Sequence, residues 1–205
     1  MNKCDYYLVS GPTGVGKSSV ISCLKSQIKC KTYSDPYENN PFISDTYIKN
    51  RYCFQSQVFF YKDFFKIHQA INNEINNNII IQERSIFESV NIFCRNMFID
   101  GLLNRDEFIL LSDLLSCIDP FIVHPKKVIY LEASSEIILS RIRNRGRGFE
   151  RNISEDFVKK QLDLYNDWLL YIQKQWSCDI ININVNTLTP QAISRIILEN
   201  HITQI

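Results

Sequence analysis

The stretch Cys4-Asp5-Tyr6-Tyr7-Leu8-Val9-Ser10, followed by Gly11-Pro12-Thr13-Gly14-Val15-Gly16-Lys17-Ser18, decides the fold. Cys4 to Ser10 is short, apolar and β-prone, and Gly11 and Pro12 stop it, so it reads as a buried strand. A helical pattern runs from about Lys17 to Ile28. Gly11 to Ser18 between them fits G-x-x-x-x-G-K-[ST], the phosphate-binding loop, and the strand before and helix after are the context that motif requires. Glycines let successive backbone N–H groups wrap a phosphate, and a helix amino terminus adds a favourable dipole. Lys17 is expected beside the β- and γ-phosphates of a nucleoside triphosphate, and the Ser18 hydroxyl on Mg²⁺.

Further strands are predicted at Lys31–Ser34, Asn78–Gln82, Lys127–Leu131 and Asp179–Val185. The Asn78–Gln82 run is the strongest, a continuous apolar segment suited to a parallel strand covered on both faces. Helical patterns fill the intervals, at Ser44–Ile75, Ser85–Ile99, Arg105–Ile118, Ser135–Arg145, Ser154–Gln175 and from Pro190 onward. The alternation predicts one α/β domain over residues 1–205, a five-stranded parallel sheet with helices on both faces. Ligands of such sheets bind at the carboxyl ends of the strands. The loop Gly11–Ser18, then Asp35, then Glu83 and Arg84 follow the first three strands, so one rim collects them all.

Composition excludes several other classes. The 205 residues are 45% hydrophobic and 22% charged, with net charge +1. That is a core-forming globular chain, without the basic excess of a protein that binds nucleic acid by bulk charge. No apolar run approaches the ~18 residues of a membrane span. The seven cysteines form no CxxC pair, and the three histidines sit at no zinc-ligand spacing. Reduced thiols in a cytoplasmic setting are expected. The amino terminus runs directly into the first strand, so no leader is expected. Asn2-Lys3-Cys4-Asp5 matches a guanine-reading tetrad but precedes the phosphate loop, where it cannot serve one. A small-molecule kinase is the class that remains in front.

Asp35-Pro36, Phe54-Gln55-Ser56-Gln57, Glu83-Arg84-Ser85 and the arginines from Arg141 to Arg151 occur in that order. With them the chain resembles the deoxynucleoside kinase family over roughly Tyr6 to Leu170. The short Asp35–Pro41 loop looks most like the bacterial deoxyadenosine and deoxyguanosine kinase branch. The resemblance implies transfer of the γ-phosphoryl of ATP to the 5′-hydroxyl of a deoxynucleoside, with Mg²⁺ as cofactor, and a homodimer. Asp35 stands where the family has a glutamate base, one methylene longer. Arg84, Arg145 and Arg147 are implied to stabilise the transferring phosphoryl, with Glu83 ordering Mg²⁺ beside Ser18. Residues 141–153 are implied to form an Arg-rich lid, freed to close by Gly146 and Gly148.

On the acceptor side, the resemblance makes Gln55 the reader of the base edge, since an amide offers a donor and an acceptor side by side. Phe54, Phe59 and Phe87 are candidates for the base-pocket walls, or equally for plain core. Tyr47 and Glu150 are implied to hold the sugar 3′-hydroxyl. Ser89 and Lys62 stand where relatives that favour amino-bearing bases carry Asp and Arg, which implies broad base acceptance with thymidine included. The dimer is implied to form through the aromatic helix at Phe59–Phe65 and the helix after Glu83. Two other readings stay open. A nucleoside monophosphate kinase needs extra cations for the acceptor phosphate, for which Arg51 and Arg95 are the candidates. A non-catalytic nucleotide-binding module would leave Asp35 without a role.

Overall fold

The computed structural model describes residues 5–202. Five parallel strands, β1 (Tyr6–Ser10), β2 (Lys31–Tyr33), β3 (Ile80–Glu83), β4 (Lys127–Glu132) and β5 (Asp179–Asn184), form one sheet in the order β2-β3-β1-β4-β5. The first residue of the strand predicted from Cys4 lies outside the described residues.

The helices are α1 (Lys17–Gln27), α2 (Ile43–Lys49), α3 (Cys53–Glu74), α4 (Ile86–Glu88), α5 (Arg95–Ile99), α6 (Arg105–Ile118), α7 (Ser135–Arg145), α8 (Glu155–Gln175) and α9 (Pro190–Asn200). A π-helical turn over Ser89–Cys94 joins α4 to α5 into one continuous rod.

Side chains alternate across a strand, and here both faces are buried. Tyr7 and Val9 of β1, with Ile129 and Leu131 of β4, pack against Val20, Leu24, Ile138, Ile142 and Ile197 of α1, α7 and α9. Leu8, Val128 and Tyr130 face the other way, onto Phe64, Ile86, Tyr165, Trp168 and Ile172 of α3, α4 and α8. Among the described residues no helix is long and apolar enough to cross a membrane.

One predicted element divides. The helical pattern over Ser44–Ile75 breaks between α2 and α3, where Asn50 and Tyr52 take left-handed backbone at φ 53° and 58°. Asn tolerates that region better than most residues.

Candidate active site

The β1–α1 loop is shaped by contacts that tolerate no side chain at two glycines. A Cβ on Gly11 (φ +136°) would lie 2.6 Å from the Leu131 carbonyl oxygen, and one on Gly14 (φ +87°) would lie 2.5 Å from Ile142 Cγ1. Lys17 is buried and donates to the carbonyls of Gly11 at 2.8 Å and Pro12 at 3.0 Å. Burial, then the nearby Arg84 charge, pushes its ammonium down to about 7. Ser18 Oγ donates to Glu83 Oε1 at 2.8 Å. A hydroxyl and a carboxylate side by side are the oxygen donors a hard divalent cation takes.

Two cavities meet at this loop. The first is lined by Asp35, Tyr47, Gln57, Phe60, Phe64 and Glu150, among others, and the second by the loop backbone with Leu188, Pro190 and Ile193. Gly14, Lys17, Glu83, Arg145 and Arg147 line both. A group held in one cavity therefore faces a group held in the other across a wall of three cations and a carboxylate.

Asp35 and Arg84 form a part-buried ion pair through Asp35 Oδ2 and Arg84 Nη1. Asp35 has φ −58° and ψ 124°, the extended backbone that a following proline enforces, and it caps the 3-10 turn Pro36–Asn39. Its other oxygen, Oδ1, is buried without a partner. Arg84 ends β3 with φ 56°, a strained conformation for a residue with a side chain. The Arg84 N–H donates to the Val9 carbonyl at 3.1 Å, and its guanidinium sits 4.3 Å from the Phe93 ring centre. Burial opposes the Arg84 charge most, but Asp35, with Tyr165, Glu88 and Glu83, together more than offsets it and holds the proton firmly. Glu38, the other acid of this loop, is exposed and accepts from the Tyr37 hydroxyl at 2.7 Å.

The arginine segment divides by role. Arg141 donates to the carbonyls of Val15 at 2.8 Å and Val185 at 2.7 Å, so it anchors α7 to the loop and to the end of β5. Arg145 and Arg147 reach the shared wall. Arg145 Nε donates to Glu150 Oε2 at 3.0 Å, and Arg147 lies 3.5 Å from Glu150 and 3.9 Å from the Tyr37 ring centre. Glu150 and Tyr47 both line the first cavity. Burial raises the Tyr47 phenol to about 12, with smaller opposed effects of Arg84 and Asp35, so it stays a neutral donor.

The base-side expectations need correction at five residues. Gln55 is exposed on α3 and lines neither cavity, whereas Gln57 is 3% exposed and lines the first. Helical residues turn ~100° each, so two positions apart means nearly opposite faces. Lys62 is likewise on the outer face, over the Phe59 ring at 3.6 Å and paired with Asp63 at 3.2 Å. Phe54 packs against the cluster of Cys53, Cys94 and Met97, and Phe87 against Trp176 and His124, so both belong to the core. Phe59 lines neither cavity; the aromatic walls are Phe60, Phe64, Phe93 and Phe149. Ser89 is placed as expected, lining the cavity with its Oγ 3.4 Å from Gln57 Oε1.

The remaining neighbours of the Gln57 amide are sulfurs, Cys94 Sγ at 3.3 Å and Met97 Sδ at 3.4 Å. Sulfur is a weak hydrogen-bonding partner, so these two contacts are ones a stronger partner can replace. The Phe54–Gln57 motif contained Gln57; only its helical phase was missing.

A model of the family described as deoxynucleoside kinase matches residues 7–204. Among curated proteins, the chain is 29% identical to a deoxyadenosine/deoxycytidine kinase of Bacillus subtilis, over 78% of this chain and 75% of that one. It is 30% identical to a deoxyguanosine kinase of Lactobacillus johnsonii, again over 78% of this chain and 75% of the other. Among solved structures, a deoxyadenosine kinase from M. mycoides with bound dATP superposes with a TM-score of 0.81. That match covers 95% of this chain and 98% of the other at 20% identity, and so speaks for the fold.

Proposed function

The chain belongs to the deoxynucleoside kinase family, and on that premise we propose how its residues divide the reaction. The enzyme transfers the γ-phosphoryl of ATP to the 5′-hydroxyl of a deoxynucleoside and so forms the 5′-monophosphate for nucleotide salvage. One observation carries the residue assignment: two cavities share Gly14, Lys17, Glu83, Arg145 and Arg147, the first adding Gln57, Ser89 and aromatic walls and the second the rest of the phosphate loop.

ATP takes the second cavity, its phosphates on the Gly11–Ser18 loop and its base toward Leu188, Pro190 and Ile193. The deoxynucleoside takes the first. Gln57 reads the base edge between Phe60, Phe64 and Phe93, while Tyr47 and Glu150 hold the 3′-hydroxyl. Asp35 Oδ1, unpartnered in the cavity, accepts the proton of the 5′-hydroxyl, a step that helps because an alcohol is a poor nucleophile. Arg84 fixes that carboxylate through Oδ2. Lys17, Arg84, Arg145 and Arg147 are the cations placed in advance for charge on the transferring phosphoryl. Ser18 and Glu83 would hold Mg²⁺, which supplies neutralisation of the phosphate oxygens when bound.

The whole chain acts as one domain, and its lid is the segment from Gly146 to Ile153 rather than all of 141–153, because Arg141 is anchored. Arg51 and Arg95 are exposed and line neither cavity, which speaks against an acceptor that already carries a phosphate. The Gln57, Ser89, Phe60, Phe64 and Phe93 side of the first cavity carries no ionised group, which supports acceptance of several bases, thymine included.

A homodimer forms through the outer face of α6, where Ile109, Leu110 and Leu114 are exposed, together with α3. The rod after Glu83 is largely buried over Ile86–Met97, with Arg95, Phe98 and Ile99 exposed, and so offers a smaller free apolar face than α6. The enzyme works in the cytoplasm.

The test is ADP production with ATP and Mg²⁺ across the four deoxynucleosides and the four deoxynucleoside monophosphates. Turnover with nucleosides is expected; turnover with monophosphates alone overturns the acceptor assignment. Asp35→Asn should lower kcat by ~10² or more with ATP binding kept. Undiminished kcat would remove Asp35 as the base.

A further inference from the structure

Glu88 lies on the first turn after β3, one residue from Ser89, and is 0% exposed. Its Oε1 accepts from Ser10 Oγ at 2.8 Å and lies 3.0 Å from the Tyr165 hydroxyl. Its Oε2 accepts from the Ser85 N–H at 2.9 Å and lies 3.3 Å from Ser85 Oγ. The carboxylate thus joins the end of β1, the start of α4 and the middle of α8. No assignment above uses it.

Tyr165 is also buried, and its hydroxyl stands 3.0 Å from a second acceptor, the Gly11 carbonyl oxygen. That carbonyl is the one to which Lys17 Nζ donates at 2.8 Å. A phenol has a single proton. Tyr165 can give it to Glu88 or to Gly11, and which it chooses is decided at Glu88. An ionised Glu88 draws the proton; a protonated Glu88 donates to the Tyr165 oxygen and turns the phenol proton to Gly11.

Gly11 does not need Tyr165 while Lys17 holds its carbonyl. It needs it once Lys17 turns to the donor phosphates, because a buried carbonyl left without a donor is costly. We propose that Tyr165 and Glu88 are positioning residues of donor binding: Tyr165 takes over the Gly11 carbonyl when Lys17 leaves it for ATP, and Glu88 sets the direction of the Tyr165 proton. The inference rests on the reading of the Gly11–Ser18 loop as the ATP site.

The step balances as one proton entering Glu88 from solvent as Tyr165 turns to Gly11, with no covalent bond between heavy atoms made or broken. The groups that face Glu88 are Lys17 on α1, Arg84 at the end of β3, Tyr165 on α8, Tyr6 on β1 and Tyr130 on β4. Burial raises the Glu88 carboxyl above its ordinary range, and the cations Arg84 and Lys17 pull it back. A partly relieved carboxylate of that kind is able to take up a proton when Lys17 withdraws.

The experiment compares wild type, Tyr165→Phe, Glu88→Gln and Glu88→Ala by calorimetric ATP titration and by steady-state KM for each substrate. Tyr165→Phe should weaken ATP ~tenfold, about 1.4 kcal/mol. Its KM for the deoxynucleoside should stay within threefold, and its kcat at saturating ATP should fall less than threefold. The penalty falls on the ATP-bound state because the free enzyme still has Lys17 on Gly11.

Glu88→Gln places an amide N–H against the Tyr165 oxygen and so fixes the phenol toward Gly11. It should keep ATP affinity within threefold, and proton uptake on ATP binding, measured in buffers of different ionisation enthalpy, should fall below that of wild type. Glu88→Ala should lose more than Glu88→Gln. A Tyr165→Phe enzyme with unchanged ATP affinity, equal losses for both substrates, or a Glu88→Gln enzyme with undiminished proton uptake would each overturn the proposal. A wild type that binds no ATP would instead overturn the donor site itself. Thermal unfolding of each nucleotide-free variant identifies any that fails to fold. For such a variant, Tyr165→Phe alone decides, since it removes one oxygen and keeps the ring.

Discussion

Arg84 keeps a left-handed backbone because its surroundings over-determine it. The Val9 carbonyl holds its N–H, Asp35 holds one arm of its guanidinium, and Phe93 covers the face. A lysine there keeps the charge but loses the planar fork and the stacking. Arg84→Lys should therefore lower kcat by roughly 10², read at saturating ATP and deoxynucleoside. Ser89 is the residue to change for base choice. A carboxylate beside Gln57 repels the thymine 4-carbonyl and welcomes an amino group, so Ser89→Asp should reduce kcat/KM for thymidine at least ~10-fold relative to deoxyadenosine. His68 is a different kind of buried group: neither ring nitrogen has a partner, and burial, with a smaller contribution from His124, lowers its pKa to about 3. The unfolded chain binds a proton near pH 6.5 that the folded one refuses. Stability is thus complete above that pH and is lost as pH falls toward 3, by about 2 kcal/mol at pH 5. In His68→Phe, which keeps an aromatic ring against Phe87, urea unfolding should show that much less loss between pH 7.5 and pH 5.

At the scale of elements, the phosphate loop depends on α7 as much as on its own sequence. Arg141 ties the helix to the Val15 carbonyl, and Ile142 fills the space that a Gly14 side chain would take. Gly14→Ala must displace Ile142 or the loop. It should raise KM for ATP at least ~10-fold, the cost of a strained positive φ added to an overpacked contact, and affect the deoxynucleoside less. Gly101→Ala is the matching control, since it shares a positive φ of +71° but meets nothing within 4 Å. It should lose stability and leave both KM values alone. The π turn at Ser89–Cys94 serves the other cavity: it brings Ser89 and Cys94, five residues apart, both to Gln57, a spacing that a plain α-helix would rotate apart.

At the scale of the molecule, the sheet order puts β1 between β3 and β4, so the loop after β1 lies beside Glu83–Arg84 on one side and the root of α7 on the other. The two cavities open on either side of that loop. The exposed apolar groups Ile109, Leu110, Leu114 and Phe121 lie on and just after α6, whereas both cavities are lined by other elements. Dimerisation there should leave each site complete. Leu110→Glu with Leu114→Glu should shift sedimentation from dimer to monomer at micromolar concentration while kcat stays within a few-fold. A wild type that sediments as a monomer would remove α6 as the interface.

Beyond Arg145, Arg147, Tyr47, Ser89 and Glu150, which only the family resemblance nominated, the amino-acid sequence by itself determined the strand–loop–helix around Gly11–Ser18, the five strands, and the gathering of that loop with Asp35, Glu83 and Arg84 at one rim. These follow from local rules: apolar runs, proline and glycine stops, and the fact that parallel strands end on the same side. Only the tertiary structure decided that Gln57 rather than Gln55 faces the cavity, that Lys62 faces solvent, that Phe54 and Phe87 are core, and that Arg141 is an anchor. Each of these depends on helical phase or on a partner far along the chain. Gln55 and Gln57, two positions apart, fall on nearly opposite faces of α3, and carbonyls at Val15 and Val185 claim Arg141. Glu88 and Tyr165 were invisible for the same reason, since 77 residues separate the two ends of their hydrogen bond.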